Sequence, residues 1–374
     1  MYRSRFKLEG IGTGVKMKLP SMNPALLSSI GEFFVKYSGR KSVVDLETCQ
    51  KVINKLDLKS KYPNSNTLSI IDVFTGEGIF STMVNYELKP RNHVIIEKHP
   101  TGVKLWKKII NHLQSETNNR ENFVLYPQDG YNWLTYRSIF DQGYASNQIK
   151  PRNMIHDEIL LIANLTTPKS GESLFAQWIM CCGYKNWIQK YGRVRMICFI
   201  PKETAQKFLA GPGFKKRNKS SLKRDFITDT RLIAITDCEH LDEPNGYDYD
   251  PNVLYRDQPI VIPSEATHPL KADFAIVEVI PKDFSSECLD ENDFLTQCMF
   301  ISKTKPIREA LAYVAPGADE YLVPILPKEM IEKSAHELTT DEWKLVFDAY
   351  QKWPFKPSLL DTTFGVVQDE LKHF

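Results

Sequence analysis

Four positions that follow apolar stretches of this sequence have residue types suited to binding a nucleoside. The apolar stretch 68–73 runs into a turn that contains Gly76, and glycine lets a backbone approach a ligand closely. The next apolar stretch ends at Glu97, whose carboxylate could accept hydrogen bonds from ribose hydroxyls. Asp129 follows the third stretch, where it could accept from an adenine amino group, and Asn164 follows the fourth. This order of side chains predicts a nucleotide pocket.

The elements that must hold these residues alternate between strands and helices. Seven near-continuous apolar stretches are predicted strands: 68–73, 93–96, 123–126, 159–163, 194–200, 232–236 and 274–280. Helical spacing occupies five segments between them: 79–88, 101–115, 131–141, 172–191 and 203–210. Apolar strands interleaved with helices predict a mainly parallel α/β sheet covered on both faces. Its carboxyl edge, where ligands bind in such sheets, would carry all four residues.

The domain organisation follows from where this alternation stops. After about residue 282 only helical patterns remain, so we predict an α/β domain over 23–285 and a small all-helical domain over 286–357. A tail would follow over 358–374. Residues 1–22 are predicted to be flexible, and their basic, acid-poor composition suits an organelle-targeting segment. A disordered, solvated tail is the alternative for that segment.

Composition excludes several classes of protein. The 374 residues are 42% hydrophobic and 25% charged, which is typical of a globular protein. No apolar run approaches the roughly 18 residues that a membrane helix needs, so no membrane partner is expected. The seven cysteines lack any paired C-x-x-C spacing, which favours reduced thiols and predicts no metal site. A net charge of +2 means that only local clusters can indicate a polyanionic partner.

One basic and one acidic cluster interrupt the α/β pattern. The segment 212–224 contains six basic residues and no acid: Lys215, Lys216, Arg217, Lys219, Lys223 and Arg224. These side chains would neutralise the phosphates of a nucleic acid, and a solubilising charge run is the alternative. The acidic segment 237–250 is predicted to be a plain solvated insertion. Both segments lack hydrophobic periodicity and are predicted to be loops.

Aromatic residues lie directly after the predicted adenine-binding position. Tyr131 and Trp133 follow Asp129, and Tyr126 and Tyr136 lie nearby in the sequence. Aromatic rings beside such a site could stack on unpaired bases without reading their sequence. Trp133 also lies at helical spacing, so a place in the core is the alternative for that ring.

The strand-end residues resemble those of a known enzyme family. Gly76, Glu97, Asp129 and Asn164 occur in the order used by ribosomal RNA adenine N6-dimethyltransferases, which bind S-adenosylmethionine. Two further segments, 201–213 and 269–273, resemble other motifs of that family. The resemblance implies a class I S-adenosylmethionine-dependent methyltransferase-like (Rossmann-like) fold. It also implies a vestigial set of cofactor-binding residues: Val43, Gly76, Glu97, Asp129 and Asn164.

Three departures from the family pattern argue against the enzyme's chemistry. The enzymes have Asn-Leu-Pro and an aromatic residue at the catalytic turn, whereas this chain has Thr166 and Thr167 after Asn164-Leu165. Threonine has no π face to stack on a flipped adenine, and a lost base stack costs about 1–3 kcal/mol. The donor-binding motif is altered at 39–43, and Phe74 stands where such turns often have glycine. We therefore expect no catalytic residues, no required cofactor and at most weak S-adenosylmethionine binding.

Within this family the chain resembles a subgroup of mitochondrial transcription factors of budding yeasts. Four segments carry the resemblance: 185–187, 226–235, 338–342 and 353–357. It implies a factor of the mitochondrial matrix that binds the single-subunit mitochondrial RNA polymerase, helps to melt promoter DNA and holds the non-template strand. The tail 358–374 would approach the template or contact the polymerase. Two alternatives remain: dimethylation of adenines in small-subunit ribosomal RNA, and a non-catalytic RNA-binding or ribosome-assembly module.

Overall fold

The computed structural model describes most of the chain and divides it into two compact units. The described residues are 18–27, 29, 39–118, 122–236, 248–283, 285 and 287–358. The expectations for 1–17, for the acidic segment 237–247 and for the tail 359–374 lie outside them. The first unit combines Met1–Ala205 with Thr228–Asp283, and the second combines Gln206–Ile227 with Phe284–Phe374. None of the helices in the described ranges is long and apolar enough to cross a membrane.

The first unit is built on an eight-stranded sheet. Its strands are β2 (Ser69–Val73), β3 (Asn92–Ile96), β4 (Phe123–Tyr126), β5 (Ile155–Asn164), β6 (Arg193–Pro201), β7 (Thr228–Thr236), β8 (Ile260–Ile262) and β10 (Phe274–Pro281). They lie in the order β4-β3-β2-β5-β6-β10-β7-β8. The pairs β2–β3, β2–β5, β3–β4, β5–β6 and β7–β8 are parallel, and β10 runs antiparallel to both its neighbours. The predicted, mainly parallel sheet is confirmed.

Burial explains why the predicted strands form. Every residue of β2 is buried. The strand therefore lacks the alternation of apolar and polar residues that a strand with one solvent-facing side shows, because helices cover both sides of the sheet. All seven predicted strands exist in the structure, although β5 to β7 begin earlier than the patterns indicated. Strand β8 was not predicted, nor was a separate two-stranded sheet that pairs β1 (Ser42–Val43) with β9 (Thr267–His268). These strands are too short to show a period.

Helices of the first unit cover the sheet. They are α1 (Pro24–Leu27), α2 (Leu46–Leu56), α3 (Leu58–Lys61), α4 (Ile79–Leu88), α5 (Pro100–Thr117), α6 (Trp133–Asp141), α7 (Ser170–Tyr184) and α10 (Pro251–Asp257), with 3₁₀ turns at Trp187–Tyr191 and Ser264–Ala266. Helix α8 (Lys202–Phe208) contains the point where the two units divide. The segment 172–191, predicted as one helix, forms two elements: α7 and the 3₁₀ turn Trp187–Tyr191. The chain breaks between them because Lys185 and Trp187 adopt left-handed conformations.

The second unit is helical. It contains α9 (Lys219–Ile227), α11 (Leu289–Ile301), α12 (Ile307–Ala310), α13 (Ala318–Leu322), α14 (Lys328–Ile331) and α15 (Thr340–Gln351), with 3₁₀ turns at Leu311–Tyr313 and Val323–Ile325. Its own core includes Leu222, Trp343 and Tyr350. The prediction that all of 212–224 is a loop is wrong, because α9 buries Leu222 against the C-terminal helices. The unit therefore takes up a segment that the sequence analysis placed inside the α/β domain.

Candidate nucleic-acid interface

The turn after β2 lies where the strand order reverses, which is where ligands bind in open α/β sheets. Gly76 and Gly78 have φ of 63° and 78°, the left-handed region that favours glycine. A Cβ at Gly76 would collide with the Ser42 hydroxyl, and one at Gly78 would lie 3.1 Å from the ring of Trp106. Both glycines are therefore required by close packing of the protein on itself.

Glu97 ends β3 and is buried, as a ribose-binding carboxylate would be. Its Oε1 accepts a 2.8 Å hydrogen bond from the His99 N–H, and its Oε2 has no partner among the described residues. Helix α5 approaches it closely, since a Cβ at Gly102 would lie 2.6 Å from Glu97 Cγ. Burial raises the pKa of Glu97, although the His99 N–H and the charge of Arg40 act in the opposite direction.

Asp129 follows β4 and is bound by neighbouring protein groups. Lys98 Nζ lies 2.6 Å from its Oδ2, and the Tyr131 N–H donates to Oδ1 at 3.0 Å. Burial raises the pKa of Asp129, but the hydrogen bonds from Lys98 and Tyr131 outweigh it and hold the pKa below its usual value. The carboxylate is therefore ionised and already paired.

Asn164 ends β5 and is also satisfied within the protein. Its Nδ2 donates to the Lys41 carbonyl at 2.9 Å, and its Oδ1 accepts from the Thr166 hydroxyl at 2.7 Å. The Lys41 N–H in turn donates to Thr166 Oγ1 at 2.8 Å. Val43, the fifth predicted cofactor residue, is buried in β1 and pairs with Thr267. In the enzymes of this family the side chain at this position would face an adenine. In this chain the Asn164 amide instead binds Lys41, in the segment before β1.

Arg40 is the residue that ties these strand ends together. Its guanidinium donates to the Asn164 carbonyl at 2.8 Å and to Thr167 Oγ1 at 3.4 Å, and it lies 3.8 Å above the ring of Phe74. The Phe74 ring packs against Tyr131 with 5.1 Å between centroids. Burial raises the pKa of Tyr131, but the nearby side chains of Ser170, Thr167 and Arg40 outweigh it and lower that pKa. We call Arg40, Phe74, Tyr131, Thr167 and Ser170 the Arg40 cluster.

S-adenosylmethionine does not fit the residues found at this edge. The cavity beside Ser42, Thr75 and Asn164 has a volume of about 20 Å³, enough for about one water. Space nearer to Asp129 is filled, because a Cβ at Gly130 would lie 2.8 Å from the Phe74 ring. The unpartnered Oε2 of Glu97 is the one feature that suits a ribose. No cluster of metal-ligating residues occurs in the described part of the chain.

Two aromatic rings at this edge face solvent: Tyr131, a member of the Arg40 cluster, and Trp133, which follows it in the sequence. Tyr131 is 37% exposed and Trp133 is 39% exposed, so the alternative that Trp133 belongs to the core is wrong. Trp133 begins α6, where Asn132 caps the helix through a bond to the Leu134 N–H. The neighbouring rings differ: Tyr126 donates to Ser138 Oγ at 2.6 Å, and Tyr136 is buried and donates to the Gly130 carbonyl. Only Tyr131 and Trp133 of these four rings are exposed enough to stack on a base.

Two members of the basic segment cannot contact phosphates as predicted, because their guanidinium groups are buried. Arg217 is fully buried and donates to the Ala210 carbonyl at 3.1 Å and to Asp225 at 3.0 Å. Arg224 donates to the Phe208 carbonyl at 2.9 Å and pairs with the same aspartate. Both arginines therefore connect Asp225 of α9 to the segment 208–210, and the prediction of a nucleic-acid contact is corrected for them.

The lysines of the segment are more accessible. Lys215 and Lys219 are exposed, whereas Lys216 bonds Gln206 and Lys223 pairs with Asp293 of α11. Lys303 donates to the Lys215 carbonyl at 3.1 Å, which adds a cation from the end of α11 to this face of the second unit. Sequence reasoning missed Lys303 because it lies 88 residues away from Lys215.

Sequence reasoning also missed cations of the first unit at the carboxyl edge. Three cations lie next to different strands: Arg40 before β1, Lys98 after β3 and Lys169 after β5. They are too far apart in the sequence to be recognised as one basic cluster. Arg40 had a weak signal, since it stands inside the altered donor motif at 39–43. The side-chain contacts that give Arg40 its place are visible only in the fold.

Comparisons with known proteins agree with this fold. The sequence profile of the family described as Ribosomal RNA adenine dimethylase matches residues 36–348. Mitochondrial transcription factor 1 of Saccharomyces cerevisiae is 31% identical over 323 residues, which cover 86% of this chain and 90% of that protein. Mitochondrial transcription factor 1 of Lachancea kluyveri is 29% identical over 342 residues, which cover 89% and 95%.

A solved structure confirms the predicted class of fold. The crystal structure of a dimethyladenosine transferase from Plasmodium falciparum superposes with a TM-score of 0.53 at 14% identity. The match covers 83% of this chain and 97% of that one. At this identity the likeness shows the fold alone, a Rossmann-like methyltransferase sheet.

Proposed function

Because this chain belongs to the ribosomal RNA adenine dimethylase family and resembles yeast proteins named as mitochondrial transcription factors, we propose that it acts in mitochondrial transcription. It works in the mitochondrial matrix as an initiation factor for the single-subunit mitochondrial RNA polymerase. It assists promoter melting and holds the melted non-template strand. It catalyses no methyl transfer and requires no S-adenosylmethionine.

The observation that carries this proposal is the pair of exposed rings at the former ligand edge. Tyr131 and Trp133 face solvent there, and the buried Phe74 ring packs against Tyr131 with the Arg40 guanidinium over it. Stacking on an aromatic side chain stabilises an unpaired base by about 1–3 kcal/mol. Two rings therefore offset the opening of a few base-pair steps, at about 1.4 kcal/mol of stacking per step. Exposed Lys215 and Lys219 supply phosphate contacts.

A comparison of duplex and pre-melted promoters tests strand capture directly. Run-off transcription by mitochondrial RNA polymerase is measured with and without this protein on both templates. We expect a strong requirement for the factor on duplex DNA and a much weaker one on a template with a preformed bubble. An equal requirement on both templates contradicts strand capture, since melting would then not be the step that the protein assists.

Substitution of the two rings tests the proposed contact. Tyr131→Ala with Trp133→Ala should reduce promoter opening, followed by 2-aminopurine fluorescence, by about tenfold for each stack lost at about 1.4 kcal/mol. Co-purification with the polymerase should be unchanged. Tyr255→Ala is the matched control, because Tyr255 is an exposed tyrosine on α10 of the same unit. Unchanged opening by the double variant removes these rings from the interface.

Methylation of ribosomal RNA is the second candidate, and the unpartnered Oε2 of Glu97 favours it. Tritium transfer from labelled S-adenosylmethionine to small-subunit ribosomal RNA distinguishes the two. We expect no label in RNA with this protein, whereas a bacterial-type dimethyltransferase labels it in parallel. Label in the RNA contradicts the proposed loss of catalysis.

A further inference from the structure

The three departures from the enzyme pattern lie far apart in the sequence but contact one another in the fold. Arg40 belongs to the altered segment before β1, Phe74 replaces a glycine after β2, and Thr167 stands in the altered turn after β5. Arg40 touches both others, at 3.8 Å from the Phe74 ring centroid and 3.4 Å from Thr167 Oγ1. If the three motifs had simply been lost one by one, the new side chains would have no reason to contact the same arginine.

Phe74 supplies the bulk at the centre of this arrangement. Its φ of 60° is a left-handed conformation that glycine adopts freely and that costs other residues about 1–2 kcal/mol. The ring is nevertheless almost completely buried, lies close to Gly130 and packs against Tyr131. The packing of the ring offsets the cost of the backbone conformation.

The Arg40 guanidinium lies over the face of that ring. Its guanidinium spans from Phe74 to the Asn164 carbonyl, which lies across the point where the strand order reverses. A guanidinium that stacks on an aromatic face and also donates to oxygen atoms has a well-defined position. The space between the ends of β2 and β5 is thereby occupied by a charged, planar group.

Thr167 and Ser170 complete the closure from the start of α7. Both residues lie near the Tyr131 hydroxyl, and Thr167 Oγ1 accepts a hydrogen bond from Arg40 at 3.4 Å. Tyr131 packs against Phe74 with 5.1 Å between ring centroids and stays partly exposed. An aromatic residue at 167, as in the enzymes, could not accept the hydrogen bond from Arg40.

We propose that the Arg40 cluster is an internal plug that closes a latent S-adenosylmethionine site. The plug replaces the cofactor and the target base by the protein's own guanidinium and ring. Glu97 keeps a buried Oε2 without a hydrogen-bond partner among the described residues, so a ribose acceptor survives at the end of β3. The inference deepens the proposed loss of methyl transfer and rests on it. It predicts that removal of the plug restores binding of the cofactor without restoring catalysis.

Isothermal titration with S-adenosylmethionine tests the plug. The full-length native protein should bind S-adenosylmethionine with a dissociation constant above the millimolar range. Arg40→Ala with Phe74→Gly should tighten the dissociation constant at least tenfold, because glycine suits the backbone at 74 and both substitutions open the pocket. Addition of Glu97→Gln to that variant should weaken binding again by about tenfold, since a charged acceptor to the ribose is lost.

Each outcome of this titration decides the proposal. Micromolar binding by the native protein overturns it, whatever the variants do. So does a double variant that melts cooperatively like the native protein and binds no more tightly. If the double variant does not fold, Arg40→Ala alone must tighten binding at least threefold, and failure to do so also overturns the plug. Transcription on duplex promoters is measured separately, so a native protein that binds no cofactor but fails there contradicts only the proposed function.

Discussion

At the scale of single residues, the basic segment shows that equal charge does not mean equal role. Arg217 is buried and bonds a carbonyl and a carboxylate, whereas Lys215, two positions away, is exposed. Arginine suits the buried position because its planar fork can satisfy several oxygen atoms at once. A count of charges in the sequence could not separate these roles, because the contacts of Arg217 with Ala210 and Asp225 form only in the fold.

Two substitutions in this segment should therefore affect different properties, one the stability of the fold and the other the binding of nucleic acid. Arg217→Ala should lower the free energy of unfolding by about 3 kcal/mol, because it removes one of the two buried cations that pair with Asp225 and the donor to the Ala210 carbonyl. Lys215→Ala should change stability by less than about 0.5 kcal/mol. The same lysine variant should reduce the slope of log affinity for single-stranded DNA against log salt by about 0.7. Urea denaturation and a salt titration measure the two effects, and equal stability of the two variants contradicts the assignment.

Glu97 gives a pH dependence whose sign follows from its raised pKa. The folded state holds the neutral form more tightly than the unfolded state does, so this group stabilises the fold below its ordinary pKa of 4.5. That contribution is lost as pH rises through the raised value. Glu97→Gln should therefore melt at a higher temperature than the native protein at pH 8, with the difference shrinking towards pH 4. A difference that grows towards acid pH contradicts the direction of the shift.

At the scale of elements, the start of α15 shows a local signal that tertiary structure did not override. Thr339 Oγ1 accepts from the Glu342 N–H at 3.2 Å, and Glu342 Oε2 accepts from the Thr339 N–H at 2.8 Å. These reciprocal bonds form a capping box, which satisfies two donors that the first turn of a helix leaves unpaired. Trp343 follows in the core of the unit, so the cap fixes where the buried face begins.

Loss of this cap should destabilise the helical unit modestly. Thr339→Ala should lower the free energy of unfolding by about 1 kcal/mol, as N-cap replacements do. Thr339→Ser is the matched control and should retain most of the stability, since its hydroxyl can accept the same hydrogen bond. Chemical denaturation measures both. Equal losses for alanine and serine would show that the methyl group, and not the cap, stabilises this position.

Helix α9 is the element that sequence patterns described wrongly. Its charges are those of a solvated loop, and its two buried apolar residues, Leu222 and Ile227, are too few for a periodic signal. The helix forms because Leu222 packs into the core of the second unit and Asn218 bonds the N–H groups of Ser220 and Ser221. Packing supplies most of the stability of short helices, so an isolated pattern gives little information about them.

At the scale of the whole molecule, the second unit is assembled from two separate parts of the chain. Gln206–Ile227 lies between two strands of the first unit in sequence but packs with Phe284–Phe374. The change of pattern indicated a domain boundary near residue 285. That boundary would assign the two parts of the second unit's core to different domains. Sequence patterns locate where helices replace strands, but contacts between distant segments decide which segments share a core.

A fragment that ends at Asp283 should expose the consequence. Leu222 and Phe226 would lose the helices that cover them, so we expect the fragment to aggregate or to bind a hydrophobic dye. Replacement of 206–227 by a short Gly/Ser linker in the same fragment should restore a monomer. Size-exclusion chromatography with light scattering follows both proteins. A soluble, monomeric fragment with its native 206–227 segment contradicts the shared core.

The sequence by itself determined the strands, their parallel arrangement and the polar residues at their carboxyl ends, because buried strands need continuous apolar residues and tight turns need glycine. It also determined the family, since those residues recur in a fixed order. Only the tertiary structure decided that Arg40, Phe74 and Thr167 meet, that Arg217 and Arg224 are buried, and that Trp133 is exposed. Such facts depend on which distant segments come into contact. Local patterns record an element's own buried face and carry no information about what covers it.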